Sequence, residues 1–546
     1  MNPVLENPFY YLENFHQVLH WIGERYSDLL TGEEAEFLAR FPALPQPARA
    51  LFVRMVMRKG EFFRASKLSY PEIGCTVSAA APLVEQGWLL QDPELTLDEL
   101  FDLLQKPEIA RVFALTGAER SARKAEQLEA LRARHEGRHR FTAWYADAGD
   151  QVYHILSKPL CDRLRLIFFG NFHQDWSEFV LSNLGIYRYE KVEFSPAARG
   201  FRSRRDIDDY LALHACRERF ADGADPLLLA RELPALAGDN EWLLSRRQKM
   251  LFQFGQQLEK LGNWAGAFEL YEQCAYPGAR ARAIRVLEKD ERLGLAYEWL
   301  QRAQAAPESE AERQQLLRMA PRLRRKLGHM RAPAHKPTPV ERIDLQLPMP
   351  SEDWWVEGVV RDHLWQDDAP CFYVENALAN SLFGLLCWDA VFAAIPGAFF
   401  HPFHHGPADL HSADFQRRRA ALFEACFARL DDGSYVDHIR ANFAAKSGLQ
   451  SPFVYWDAID GELLELALAC IPVAHLRRWF ERILLDIKSN RSGFPDLIQF
   501  WPAESRYRMV EVKGPGDRLQ DNQLRWIDYC AEHGMPVSVC YLAWQE

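Results

Sequence analysis

The segments GFPDLIQF (493–500) and RMVEVKG (508–514) decide how the C-terminal part of this chain is read. Each is an apolar run of strand length. The stretch PAESR (502–506) between them is polar and turn-forming, so the pair predicts an antiparallel hairpin. Side chains alternate along a strand, which sends Glu511 and Lys513 to one face, and Asp496 at the mouth of the preceding strand can lie beside them. Two carboxylates and a lysine on one sheet face are costly to bury, because an unpaired charge loses its hydration. A salt bridge accounts for one carboxylate and leaves the other. A hard divalent cation accounts for both: Mg²⁺ or Mn²⁺ takes oxygen ligands, keeps several waters, and binds through one or two carboxylates plus a substrate phosphate. A lysine beside it can orient or deprotonate the attacking water and offset charge building on phosphorus.

Around this segment the chain runs to 546 residues, beyond the roughly 100–200 of one domain. With 48% hydrophobic and 26% charged residues it has a globular composition. The net charge of −11 opposes binding to a polyanion, so only local basic patches can support it. Such patches exist: Arg120, Arg123, Lys124, Arg132, Arg134, Arg138 and Arg140; then Lys191, Arg199, Arg202, Arg204 and Arg205. From Arg313 to Lys336 the residues Arg313, Arg318, Arg322, Arg324, Arg325, Lys326, Arg331 and Lys336 occur with no acid between them. Each cluster reads as phosphate contacts or as a solvated face. Lys488 and Arg491, just before Asp496, are placed to grip the phosphate beside a scissile bond.

The organisation reads as a multidomain, mostly α protein with a C-terminal α/β domain. Residues 1–90 are expected to be helical, with a winged-helix-like pattern at 51–90. In 91–235, Thr96 caps a leucine-spaced helix and a second helix follows near 118–135, which resembles a SAP-type DNA-binding unit or is an ordinary helical hairpin. In 236–331 the pattern is continuously helical. Gly266–Tyr271 is echoed 28 residues later from Gly294, a helical repeat resembling tetratricopeptide units. Residues 332–369 open with a proline-rich stretch and are expected to be a linker, and 370–546 carries the α/β domain.

Ten scattered cysteines without a C-x-x-C pair disfavour zinc ribbons and suit buried, reduced thiols. There is no signal-peptide pattern and no run near ~18 apolar residues, so no membrane is expected and the cytoplasm is the expected location. No phosphate-binding G-x-x-x-x-G-K loop is present, so ATP is not expected. His401, His404 and His405 lack a facing cysteine or carboxylate at recognised spacing, which disfavours a second metal site.

Pro495-Asp496 followed fifteen positions on by Glu511-Val512-Lys513 resembles the PD-(D/E)XK nuclease pattern. EVKGPGDRL (511–519) with Asn522-Gln523 resembles its VRR-NUC branch. VENALA (374–379), LFGLLCWD (382–389) and SPFVYWD (451–457) are similar to the Fanconi-associated nuclease family, the structure-selective nucleases of crosslink repair.

That resemblance implies a restriction-endonuclease-like domain over 370–546. It implies a metal-dependent DNA phosphodiesterase with 5′ flap endonuclease and 5′-to-3′ exonuclease action in repair, including interstrand crosslinks. Its partner would be branched or flapped DNA, and a bacterial member would work at the nucleoid. The resemblance makes Asp496 and Glu511 metal ligands, adds the Val512 carbonyl, makes Lys513 the catalytic lysine, and raises Glu375, otherwise a solvated glutamate, to a further acidic ligand. Gln523 either orients a water or phosphate or is a helix-surface amide. Unlike animal members, the N-terminus has no zinc-finger pattern. Two other readings are a Holliday-junction resolvase and a non-catalytic scaffold for branched DNA. The first suits short chains that pair their sites by dimerising, and the second would be free to lose Asp496, Glu511 or Lys513.

Overall fold

A computed structural model describes residues 7–194, 199–236, 240–330, 339–351, 354–412 and 414–545. Arg331 and Lys336 of the basic run, and the start of the expected linker, lie outside the described residues. The chain forms two compact units, Met1–Tyr187 and Arg188–Glu546. Their boundary falls inside the span 91–235 that was expected to hold together.

The first unit is helical around a small set of strands: β1 (Phe62–Arg64), β2 (Leu89–Gln91), β3 (Glu94–Leu95), β4 (His139–Arg140) and β5 (Val152–Ile155). An aromatic cluster of Phe15, Phe37, Phe41, Phe52 and Trp88 fills its core. The sheet order β1-β5-β2 means that the winged-helix-like stretch is completed by a strand from well downstream of residue 90. The helix Leu97–Leu103 starts at Thr96, whose hydroxyl accepts from Glu99 N–H while the Glu99 carboxylate accepts from Thr96 N–H. The helix expected near 118–135 is divided into Gly117–Ser121 and Lys124–Arg132. Arginines of this region have acidic neighbours: Arg132 pairs with Asp98 and Glu129, Arg134 with Glu119, and Arg138 with Glu99.

In the second unit, the helices Glu241–Lys260, Trp264–Glu272, Ala279–Lys289, Leu293–Ala305 and Glu310–Lys326 pack each against the next. The close approach is made by Gly255, where a Cβ would stand 2.6 Å from the Tyr271 ring. Gly294 faces open space, so the 266/294 echo does not mark the contact. Three buried carboxylates staple helices two apart in this series: Glu259 with Arg282, Glu288 with Arg322 and Lys326, and Glu312 with Arg280.

Those staples give part of the basic run a structural role. Arg322 and Lys326 are held by Glu288, and Arg318 forms a two-pronged pair with Asp521 on the helix Asp521–Glu532, with Gln314 bonded to Arg525 beside it. Arg318, Arg322 and Lys326 thus dock one helix onto another within the protein, on acidic partners from distant parts of the chain.

The remaining strands are β6 (Glu341–Leu347), β7 (Cys371–Tyr373), β8 (Leu497–Trp501), β9 (Arg506–Lys513) and β10 (Val537–Trp544), joined in the order β6-β10-β9-β8-β7. β8 and β9 pair antiparallel with Leu497 opposite Val510, as the hairpin reading predicts. β10 runs parallel to both β9 and β6. The expected linker therefore contains an edge strand of this sheet, and the helix Val356–Leu364 also packs on the sheet. Ile343, Leu345 and Leu347 alternate as a strand requires, but the flanking prolines hide the pattern. One sheet face, with Ile498, Phe500, Tyr507 and Met509, is covered by a large apolar core that includes Leu382, Trp479 and Trp526. The other, with Leu497, Val510, Val512 and Leu542, packs against Val360. All ten cysteines are free and eight are buried.

Candidate active site

Alternation along β8 and β9 places Asp496, Glu511 and Lys513 on the face of Ile498 and Met509, and all three are buried. Two hydrogen bonds hold Asp496. Its carbonyl accepts from Val374 N–H at 2.8 Å, and its Oδ2 accepts from Val512 N–H at 2.8 Å. The turn before it is pinned by Asn376, whose Oδ1 accepts from the N–H groups of Gly493 and Phe494 at 2.7 and 3.1 Å. Gly493 has φ +95°, and a Cβ there would lie 2.6 Å from the Asn522 backbone, so only glycine fits this crossing. Phe494 stacks on Trp526 at 3.8 Å.

Glu511 is fully buried, and its Oε2 accepts no hydrogen bond. Lys513 Nζ stands 2.7 Å from Oε1, a close ion pair on one of the two oxygens. Burial, then the neighbouring Asp496 charge, pushes Glu511 up to about 8, against the pull of Lys513. Burial likewise pushes Asp496 up to about 6, opposed by the Val512 N–H and Lys513 and reinforced by Glu357 and Glu375. One lysine does not balance two carboxylates in this place. Desolvated oxygens with unused lone pairs beside a second carboxylate are the donor set that a hard cation takes.

Glu375 follows β7, exposed, with Oε2 accepting from the Tyr373 hydroxyl at 2.6 Å and Oε1 from Asn376 Nδ2 at 3.3 Å. Among the described residues no three His, Cys, Asp or Glu side chains are gathered into a ready-made cage. Asp496, Glu511 and Lys513 are brought together, and Glu375 acts on both carboxylates through its charge. Sequence reasoning missed Glu357, whose charge also bears on Asp496, as well as Tyr373 and Asn376. An alternating acid at the start of an unrecognised helix left no signal for Glu357.

The remaining expectations fall differently. Gln523 completes a capping box, its Oε1 accepting from Gln520 N–H at 2.8 Å, which is a structural use of the amide. Lys488 donates to the Tyr276 hydroxyl at 2.9 Å, and Arg491 reaches the Pro452 carbonyl and the Tyr455 hydroxyl. Arg204 and Arg205 face Asp208 and Asp209 one turn along their own helix, and Arg202 N–H donates to Asp206. Arg199 lies just before that helix. His401 is buried, its Nδ1 accepting from Phe403 N–H, and His404 accepts from Phe400 N–H through Nε2. With their rings stacked 4.2 Å apart, these two serve the loop's packing.

Family models described as "FAN1, HTH domain", "Fanconi anemia-associated nuclease SAP domain" and "VRR-NUC domain" match residues 9–90, 94–144 and 430–544. The last span contains Asp496, Glu511 and Lys513. The chain is 56% identical to the Fanconi-associated nuclease 1 homolog of Pseudomonas aeruginosa, over 100% of this chain and 97% of that one. The chain belongs to the Fanconi-associated nuclease family. Its whole-length match places it among the bacterial members of that family. Two crystal structures of paFAN1, bound to 2-nucleotide and 1-nucleotide 5′ flap DNA with a gap, are each 56% identical to it. They superpose with TM-scores of 0.95 and 0.92, covering 100% and 99% of this chain and 100% of each of theirs.

Proposed function

We propose that this Fanconi-associated nuclease is a metal-dependent DNA phosphodiesterase that cuts 5′ flaps and trims DNA in the 5′-to-3′ direction during repair, including repair of interstrand crosslinks. The observation that carries the reading is Glu511, a fully buried carboxylate whose Oε2 has no hydrogen bond, beside Asp496 and Lys513 on one sheet face. The likeness to a protein crystallised on 5′ flap DNA supports the choice of substrate.

Asp496 and Glu511, with the Val512 carbonyl, are the residues to hold Mg²⁺ or Mn²⁺, and Glu375 supplies a further acidic oxygen. When bound, the cation supplies a Lewis acid that activates water and screens the phosphate. Val512 N–H orients Asp496, leaving its Oδ1 for the site. Lys513 Nζ sits where it can turn from Glu511 to a non-bridging phosphate oxygen and offset the charge that grows as water attacks phosphorus and the P–O bond to the leaving oxygen breaks. Lys488, Arg491, Arg199, Arg202, Arg204 and Arg205 are proposed phosphate contacts. Lys488 and Arg491 are held by neutral oxygens, so their exchange for phosphate is cheap. Among the described residues no helix is long and apolar enough to cross a membrane, in keeping with work on DNA in the cytoplasm.

The test is incubation of the purified protein with end-labelled single-stranded, 5′ flap and four-way DNA in Mg²⁺, Mn²⁺ or EDTA. Flap cleavage that requires the cation is expected. Preferential cutting of the four-way junction would favour a resolvase, and binding without cleavage a scaffold.

A further inference from the structure

The Tyr373 hydroxyl donates to Glu375 Oε2 at 2.6 Å, and this is the shorter of the two hydrogen bonds on that carboxylate. The tyrosine is rooted in the strand pair that carries Asp496. It lies at the end of β7 directly opposite Leu497, and the next N–H, that of Val374, donates to the Asp496 carbonyl. Tyr373 and Glu375, two positions apart, share one side of the chain as it leaves the sheet. The ring is 40% exposed, so the core does not require it there.

An exposed glutamate samples many rotamers. Here Oε2 is tied to a hydroxyl on the sheet and Oε1 to Asn376, and each oxygen keeps a second lone pair. We infer that Tyr373 is a positioning residue for the nuclease reaction, its hydroxyl holding the Glu375 carboxylate in place to ligate the divalent cation. This rests on the proposed metal role of Glu375. Hydrogen-bonding partners of ligating carboxylates tune affinity and rate by about 10–100-fold, and a single bond to an exposed group belongs at the lower end.

The variants Tyr373→Phe, Glu375→Gln and the double variant are compared in two measurements: steady-state cleavage of a labelled 5′ flap, and calorimetric titration of the DNA-free protein with Mn²⁺ alone. Tyr373→Phe keeps the ring and its packing, so its melting temperature should match wild type. The expected result is about 10-fold weaker Mn²⁺ binding and about 10-fold lower kcat, with KM for the flap within about twofold. In the Glu375→Gln background, removing the hydroxyl should change neither quantity further. Wild-type Mn²⁺ affinity and kcat in Tyr373→Phe, tighter Mn²⁺ binding, or a full additional loss in the double variant would overturn the inference. If Glu375→Gln is inactive while Tyr373→Phe is normal, only the positioning role falls. If Glu375→Gln itself behaves as wild type, the metal role of Glu375 falls, and the positioning role with it.

Discussion

Lys513 Nζ lies 2.7 Å from Glu511 Oε1 at the buried end of β9, while Oε2 of the same carboxylate accepts no hydrogen bond. The ammonium faces one carboxylate oxygen and carries three N–H donors, so it keeps donors for a second anion when one arrives. Replacing Lys513 with Ala should therefore lower kcat for flap cleavage by about 10²–10³-fold, the range for losing one preorganised donor, with little change in KM. Steady-state kinetics on a labelled flap checks this, and a loss confined to KM would make Lys513 a grip on DNA.

Asp496 is the carboxylate that the lysine leaves unbalanced. Asp496→Asn keeps an oxygen to accept from Val512 N–H and removes one buried charge. The metal-free variant should melt higher than wild type at pH 8 by about 1 °C if ~1 kcal/mol of repulsion is relieved, while losing cleavage. This is the expected exchange of stability for activity at a charged site. Thermal unfolding in EDTA measures it, and a lower melting temperature contradicts it.

The same burial sets a pH dependence. Both carboxylates are raised above their ordinary range, to about 6 for Asp496 and about 8 for Glu511, so the metal-free folded protein binds more protons than the unfolded chain. Their contribution to stability is fully present below the unfolded values near ~4 and is lost as pH rises through about 6 and then about 8. Metal ligation needs both charged, so Mn²⁺ binding at pH 6.5 should release about one proton per site, falling to none above pH 9. Calorimetry in two buffers of different ionisation enthalpy reads the proton count directly. Equal heats in both buffers at pH 6.5 would show that the pair is already ionised.

What could be read from residue order alone was the local part of this arrangement. Two apolar runs around PAESR were enough for the β8–β9 pairing, and the two-residue repeat then put Glu511 and Lys513 together. The strand β6 was not legible, because prolines bracket Ile343, Leu345 and Leu347 and its partner β10 lies nearly two hundred residues on. The bond from Tyr373 to Glu375 and the crossing of Gly493 over Asn522 depend on the β7–β8 register and on helix placement, neither of which has a sequence signature. The basic run after Arg313 was legible as charge but not as a dock, since Glu288 and Asp521 are distant in sequence.

That dock separates two sets of basic residues by experiment. Arg322 and Lys326 are committed to Glu288, so replacing both with Ala should leave the slope of log K against log[salt] for flap binding unchanged. Replacing Arg204 and Arg205 with Ala should flatten it by about 0.9 for each phosphate that is no longer neutralised. A salt titration on one labelled flap distinguishes them, and the reverse pattern would return the Arg313–Lys326 helix to the DNA-binding surface.

The most direct test of the proposed site is Asp496→Ala, assayed for cleavage and for binding on the same 5′ flap in Mg²⁺ and in Mn²⁺. The substitution removes a ligand and leaves every arginine in place. Cleavage should fall by at least about 10³-fold, beyond the effect of a single lost donor, with flap affinity within about twofold of wild type in EDTA. Cleavage near the wild-type rate by the folded variant would contradict the assignment of Asp496, Glu511 and Lys513 as the catalytic centre.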